Sequence, residues 1–204
     1  MPLDSHVLWA LVHPKPDIRA PRDRNRHFPN GAQVPERVPV NVRNCSHSII
    51  IELNVAEGVR QSGVLLAWGS GLGSWSLHFL DGRSRYVHNL YGKELTAVES
   101  TEVVGPGQHR IEYSFAKGEA LSGVGSLFVD GIFVAKGTIS RLKPSGFNGV
   151  GVGVRCGYER GPSLGTGYEA PYEFNGIILN AAVEARGALY KDPLAETVAI
   201  LAEQ

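Results

Sequence analysis

The segment GSWSLHFLDGRSRYVHNLYG, residues 73–92, decides the fold. Two runs of alternating residues flank an Asp-Gly dipeptide at 81–82, which is a strong signal for a tight hairpin turn. Successive side chains of a strand point to opposite faces, so Trp75, Leu77 and Phe79 share one face, whether the turn has two residues or four. The segment therefore predicts a β-hairpin whose aromatic face belongs to a buried core.

The opposite face of the same hairpin carries polar side chains. His78, Arg85 and Asn89 share it in either register. If this face is the concave one of a sandwich, these residues are the best candidates for contact with a ligand or a docked domain. The simpler alternative is an exposed strand face, which needs no ligand to explain its polarity.

Metal-binding and catalytic motifs are not found along the chain. His78 and His88 fall on opposite strand faces, so they cannot hold one ion together, and the histidine spacings match no metal motif. The segment GTGYEA, 165–170, fits a dinucleotide fingerprint only formally, because a proline and strand residues follow it instead of a helix. The sequence therefore predicts no metal, no cofactor and no catalytic residues.

Similar alternation recurs in six other segments and predicts further strands. These segments are SHSIIIELNV (46–55), SGVLLAWG (62–69), HRIEYSFA (109–116), SLFVDGIFVAKGTI (126–139), GVGVGVRC (149–156) and FNGIILNAAVEA (174–185). Short strands separated by glycine-rich turns, with no helix between them, are typical of antiparallel sandwiches. We predict an all-β fold, a two-sheet antiparallel β-sandwich of seven or more strands spanning residues 40–187.

The two ends of the chain differ in character from this central part. Residues 1–39 are rich in proline and arginine and predict an extended arm or linker, because proline removes backbone donors. Residues 188–204 predict a short amphipathic helix, with Asp192 as N-cap and Pro193 at the first helical position. Both ends are the expected docking parts of the molecule.

Composition narrows the classes of partner. The chain of 204 residues has 20 Lys and Arg against 20 Asp and Glu, so its formal net charge is zero and nucleic-acid binding is not expected. Cys45 and Cys156 predict free buried thiols rather than a disulfide framework. No segment reaches the ~20 apolar residues that span a bilayer, and the 7–12 apolar run is too short for a signal peptide. We expect a cytoplasmic protein without membrane contact.

The order of several segments carries a family resemblance. They are PNGAQVPERVPVNVRNCSHSIIIELNV (29–55), GVLLAWGSGLGSWSLHFLDGRSRYVHNLYG (63–92), HRIEYSFAKG (109–118), LFVDGIFVAKG (127–137) and YEAPYEFNGIILNAAVE (168–184). Across residues 22–185 the chain resembles the C-terminal, non-catalytic domain of large bacterial arylsulfatases. The resemblance implies a jelly roll of the concanavalin A-like or laminin-G-like class, the fold of many lectins and glucanases.

The catalytic machinery of a sulfatase is missing from this chain. The family's signature C-x-[PA]-x-R supplies a formylglycine nucleophile, and a divalent cation neutralises the sulfuryl oxygens. Cys45 is not followed by an arginine four positions on, and Tyr158 occupies the Pro/Ala position between Cys156 and Arg160. The aspartates are scattered and form no metal cluster.

Three hypotheses of function follow. The first is a non-catalytic sandwich for domain–domain or protein–protein contact, with a sulfatase catalytic polypeptide or a second copy of itself as partner. The alternative is a carbohydrate-binding, lectin-like module. The third, less favoured, is a glycoside hydrolase, which needs paired carboxylates on one concave strand. The closest spacings, Glu94/Glu99/Glu102 and Glu169/Glu173, are expected in turns.

Overall fold

A computed structural model describes residues 23–36, 38–142, 152–161, 164 and 167–186. They form eleven strands: β1 Arg24–His27, β2 Ser46–Val55, β3 Gly63–Ser70, β4 Gly73–Leu80, β5 Arg83–Leu90, β6 Glu94–Glu99, β7 Gly107–Lys117, β8 Gly123–Val129, β9 Ile132–Ile139, β10 Val154–Cys156 and β11 Ile177–Arg186. Within these ranges no helix is long and apolar enough to cross a membrane. The predicted C-terminal helix at 188–204 lies outside the described residues.

The strands form two antiparallel sheets that pack face to face. Sheet A has six strands in the order β1-β11-β2-β7-β8-β9, and sheet B has five in the order β10-β3-β4-β5-β6. The prediction of a two-sheet antiparallel sandwich of the concanavalin-like, jelly-roll class is therefore confirmed.

The β4–β5 hairpin adopts the two-residue turn, one of the two turn lengths that the sequence left open. Asp81 and Gly82 have φ angles of 50° and 78°, the positive values that a type I′ turn requires. Leu77 pairs with Tyr86 on the inner face of sheet B, and His78 pairs with Arg85 on the outer face. The predicted division of the hairpin into an aromatic and a polar face is confirmed.

Aromatic rings link the two sheets through the core. Trp75 lies edge-on to Trp68, with ring centroids 6.1 Å apart, and faces Tyr86 of the next strand. Tyr86 of sheet B stacks on Tyr113 of sheet A, with centroids 3.5 Å apart. Such large side chains supply much of the apolar area removed from water on folding.

Two elements depart from the sequence predictions. Arg24–His27, inside the predicted arm, forms the edge strand β1 and pairs with β11, because a sheet edge accepts a short polar strand. Glu94–Glu99 forms β6 instead of a turn, and Glu94 and Glu99 begin and end it, on opposite faces. The cysteines, in contrast, are free and buried as predicted.

Gly125 of β8 gives Tyr113 its place in the core. A Cβ at Gly125 would overlap the ring and hydroxyl of Tyr113. We expect Gly125→Ala to lower the free energy of unfolding by about 1–3 kcal/mol, because overpacking forces core side chains to move. Gly105→Ala is the control, since a Cβ there meets no atom within 4 Å. Urea denaturation of both variants tests this, and equal stabilities would show that Tyr113 adjusts without cost.

Candidate functional site

The three residues predicted for the polar face lie on the outer face of sheet B. His78 and Arg85 are direct cross-strand neighbours, and Asn89 pairs with Ser74 two rows along the sheet. The floor between them is made of small side chains, including Ala67 and Ser76. In an open sandwich such a floor would form a shallow groove.

A segment of the chain itself covers this groove. We call its described residues, 157–161, 164 and 167–175, the strap; they lie between β10 and β11 in the sequence. Glu159 and Tyr172 close its base by exchanging two backbone hydrogen bonds of 3.1 and 2.9 Å. Between them, Leu164 and Tyr168 pack on the sheet in one apolar cluster with Val64 and Ala67.

Two of the predicted residues hold the strap. The Asn89 amide donates hydrogen bonds to the carbonyls of Leu164 at 3.3 Å and Gly71 at 3.0 Å. The His78 ring meets the Tyr168 ring edge-on, with centroids 5.0 Å apart. The docked element on this face is therefore a part of the same chain, and ligand contact by these two residues stays a prediction.

His78 also contacts a serine, which raises the question of nucleophilic catalysis. The Ser76 hydroxyl lies 3.2 Å from His78 Nδ1, and both side chains are fully buried. Burial, together with the Arg85 guanidinium, lowers the pKa of His78 to about 3. A base this weak and this inaccessible does not activate a hydroxyl at neutral pH.

A buried ion pair anchors the start of the strap. Arg155 Nη2 lies 2.6 Å from Glu159 Oε2 and donates a second bond of 2.9 Å to the Gly69 carbonyl. Glu159 Oε1 also accepts the backbone N–H of Gly161 at 3.0 Å. Both charged side chains are almost completely buried, at 6% and 1% exposure. No sequence signal identified this pair, since its members lie in a short strand and an irregular loop.

Arg85 lies at the border between the part of sheet B that the strap covers and the part that solvent reaches. Its Nε is 3.3 Å from Glu99 Oε2, and its side chain keeps 21% of its surface in solvent. Gly167 of the strap approaches it closely, since a Cβ there would lie 3.4 Å from Arg85 Nη1. The guanidinium therefore borders both the strap and solvent.

Tyr172 completes this exposed border. Its ring stacks on Tyr168, with centroids 4.3 Å apart, and its hydroxyl donates to the Phe79 carbonyl at 2.8 Å. Burial, and secondarily the Asp81 carboxylate, raise the pKa of Tyr172, so the phenol stays neutral. We call the surface formed by Asp81, Arg85, Glu99, Gly167 and Tyr172 the hairpin rim.

A second exposed surface is apolar and belongs to sheet A. Phe128 of β8 and Phe133 of β9 are cross-strand partners, with ring centroids 5.9 Å apart. Ile132 and Phe133 are 70% and 53% exposed, and Val124 is exposed on the same hairpin. We call Val124, Phe128 and Phe133, which share the outer face of this hairpin, the β8–β9 apolar surface; Ile132 pairs with Val129 and points to the other face. The surface lies on β8 and β9, at the edge of sheet A.

Among the described residues, no group of three or more His, Cys, Asp and Glu side chains could hold a metal ion. His78 and His88 point to opposite faces of sheet B, in agreement with the sequence expectation.

Comparison with known proteins places the fold. No protein-family model and no curated protein matches the chain. The CBM40 domain of the Ruminococcus gnavus IT-sialidase, bound to α2,6 sialyllactose, superposes with a TM-score of 0.52 at 16% identity, over 86% of this chain and 97% of that one. Its complex with α2,3 sialyllactose gives a TM-score of 0.50 at 15% identity over the same shares.

The mouse laminin α1 chain, domains LG4-5, also matches, with a TM-score of 0.49 at 15% identity, over 81% of this chain and 40% of that one. At these identities the CBM40 likeness shows the fold alone. The neighbours named here are not arylsulfatases, so the resemblance to the sulfatase C-terminal domain stays a prediction.

Proposed function

We propose that this protein is a non-catalytic carbohydrate-binding module whose glycan site is the hairpin rim. The observation that carries the proposal is the pairing of a held aromatic ring with a guanidinium at one exposed border. Tyr172 is fixed by its stack on Tyr168 and its bond to the Phe79 carbonyl, and Arg85 lies close to Gly167, the residue before Tyr168.

The chemistry of this border suits a sugar. One face of a sugar ring is apolar and packs on an aromatic ring, while its hydroxyls need donors and acceptors. Arg85 supplies guanidinium donors, and the carboxylates of Asp81 and Glu99 supply acceptors. Because Tyr172 and Arg85 are held before binding, little ordering entropy is lost on association.

The structural neighbours add support from outside the chain. The sialidase CBM40 domain, which shares the fold, was solved with sialyllactose bound. Arg85 would donate two hydrogen bonds to the carboxylate of an acidic sugar, in the bidentate manner of guanidinium groups. Because Arg85 is already paired with the Glu99 carboxylate, the rim also suits a neutral glycan. The test therefore includes both acidic and neutral sugars.

A glycan array followed by calorimetry tests the proposal. We expect binding of a sialylated or neutral oligosaccharide, probed with α2,3 and α2,6 sialyllactose against lactose. Tyr172→Ala and Arg85→Ala are each expected to weaken it at least about tenfold, equivalent to ~1.4 kcal/mol. Circular dichroism and a thermal melt check that each variant is folded.

Two matched controls lie away from the rim. Phe28→Ala removes an exposed aromatic ring and Arg110→Ala removes an exposed guanidinium on sheet A. Both should bind as the parent protein does. A blank array, or glycan binding that survives both rim substitutions, would overturn the proposal.

The second candidate function is contact with another polypeptide, and the β8–β9 apolar surface favours it. Exposed apolar side chains that share a face, such as Val124 and Phe133 here, mark protein–protein contact sites. A sulfatase catalytic polypeptide or a second copy of this chain is the predicted partner. A blank glycan array together with concentration-dependent association in light scattering favours this candidate over the first.

A further inference from the structure

A small cavity, lined by apolar side chains and a few polar ones, lies between the two sheets, apart from the strap and the rim. Its volume is about 10 Å³, and its lining joins both sheets. His47 of β2 and Tyr113 of β7 line it from sheet A, His88 of β5 lines it from sheet B, and Asn44 lines it from the loop before β2. A volume of this size holds a single water molecule when enough polar atoms surround it.

Four of the residues that line it carry a buried polar atom that makes no hydrogen bond of good geometry, although the Tyr113 hydroxyl lies near that of Tyr86. The four atoms are His47 Nε2, His88 Nε2, Asn44 Oδ1 and Tyr113 Oη. The four residues are at most 4% exposed, so bulk water does not satisfy these atoms. Buried polar groups are almost always hydrogen-bonded, because leaving one unsatisfied is costly. Four such atoms around one small cavity point to a ligand that they share.

The two imidazoles present lone pairs to the cavity. His47 Nδ1 lies 3.0 Å from the Cys45 carbonyl, which only an N–H can donate to, so the Nε2 atom carries no proton. The His88 ring likewise bonds the Arg141 backbone, and its unpartnered atom is Nε2. Burial lowers the pKa of both rings to about 4, so both are neutral at pH 7.

The charge around the cavity decides between a cation and a neutral ligand. Arg43 contributes to the lining, and no Asp or Glu does. Burying a metal ion beside a guanidinium without a compensating carboxylate is unfavourable. Water has two donors for the two imidazoles and two lone pairs for other donors. The amide of Asn44 serves as one such donor if its nitrogen faces the cavity, since the two orientations of an amide look alike.

We propose that this cavity is a binding site for one ordered water molecule that bridges the two sheets. The water donates to His47 Nε2 and His88 Nε2, and it accepts from the Tyr113 hydroxyl and the Asn44 amide. It joins β2 and β7 of sheet A to β5 of sheet B. This site is independent of glycan binding at the rim.

A high-resolution crystal structure of the full chain tests the site directly. We expect one density peak with heavy-atom distances of about 2.7–3.2 Å to the four polar atoms. An anomalous scan and metal analysis of the same protein accompany it. A peak at the ~2.0–2.1 Å of a metal–imidazole bond, or no peak at all, would overturn the proposal.

Solution measurements give a second readout. Oxygen-17 relaxation of the water signal detects long-lived internal waters, and imidazole nitrogen NMR reports the tautomers. We expect both rings as the Nδ1–H tautomer at neutral pH, and Tyr113→Phe to shorten the residence time of this water about tenfold, since one of its partners is removed. Tyr158→Phe, at an exposed tyrosine, is the matched control. An unchanged residence time in Tyr113→Phe, or rings in the Nε2–H form, contradicts the proposed water.

Discussion

Acidification from pH 7 to pH 4 is expected to unfold the protein, with a midpoint near pH 5. Four histidines of the described chain are buried, and burial lowers the pKa to about 4 for His27, His47 and His88 and to about 3 for His78. An unfolded histidine has a pKa of about 6.5. Below that pH these histidines are protonated in the unfolded chain but stay neutral in the folded chain. Protonation therefore stabilises the unfolded state relative to the folded one.

The size of this effect follows from linkage. Each buried histidine contributes stability above pH ~6.5 and loses it at about 1.4 kcal/mol per pH unit as pH falls toward its folded pKa. The four together lose roughly 8 kcal/mol by pH 5 and roughly 12 kcal/mol by pH 4. Domains of this kind have about 5–15 kcal/mol of stability in total, so the loss is enough to unfold them.

Tryptophan fluorescence and near-UV circular dichroism across pH 8 to 3 measure the transition. Between pH 7 and 8 these four side chains are neutral in both states, so they add no slope there. His27→Leu gives a sharper test, because neither ring nitrogen of His27 has a hydrogen-bond partner in its buried place. This variant should take up about one proton fewer on unfolding and resist acid better. A midpoint below pH 3 for the parent protein would refute the prediction.

The hairpin at 73–92 shows what sequence reasoning predicts well. Its turn chemistry and its alternation act over neighbouring residues, and both survive in the folded chain. The sharing of one face by His78, Arg85 and Asn89 follows from strand geometry alone, and the structure agrees. Strand geometry also predicted that the aromatic side chains of this hairpin share the inner face.

What covers the polar face did not follow from local sequence. The strap reaches sheet B through contacts such as Asn89 with the Leu164 carbonyl, 75 residues apart, and no local pattern encodes such a contact. Strand β6 has only one buried residue, Val98, so its alternation was too weak to recognise. His88 was placed on the inner face, but a cavity between two sheets depends on packing that a single hairpin cannot predict.

The buried Arg155–Glu159 ion pair is expected to be important for stability. We expect Glu159→Gln to lower the free energy of unfolding by about 3–5 kcal/mol, since it leaves the Arg155 charge buried and uncompensated. For a chain of this length that corresponds to a fall of about 6–20 °C in melting temperature. Calorimetry of the parent and variant measures it directly.

The exposed pair in the same strap provides the matched control. Arg160 Nη2 and Glu173 Oε1 are 3.0 Å apart, but both side chains are more than half exposed. Glu173→Gln should therefore cost less than about 1 kcal/mol, because solvent screens a surface pair. Equal losses in the two variants would show that burial does not set the strength of these interactions.

A double substitution separates the role of the charge from that of the packing. Arg155→Met with Glu159→Leu removes both buried charges and keeps apolar volume, and such replacements are often neutral or stabilising. We expect it to recover most of the stability that Glu159→Gln loses, whereas amide exchange at Gly161 becomes fast only in the double variant, because a glutamine amide oxygen still accepts this N–H and leucine has no acceptor. If the double variant is as unstable as Glu159→Gln, the strap depends on the hydrogen bonds of Arg155 to Gly69 and Glu159 rather than on charge compensation.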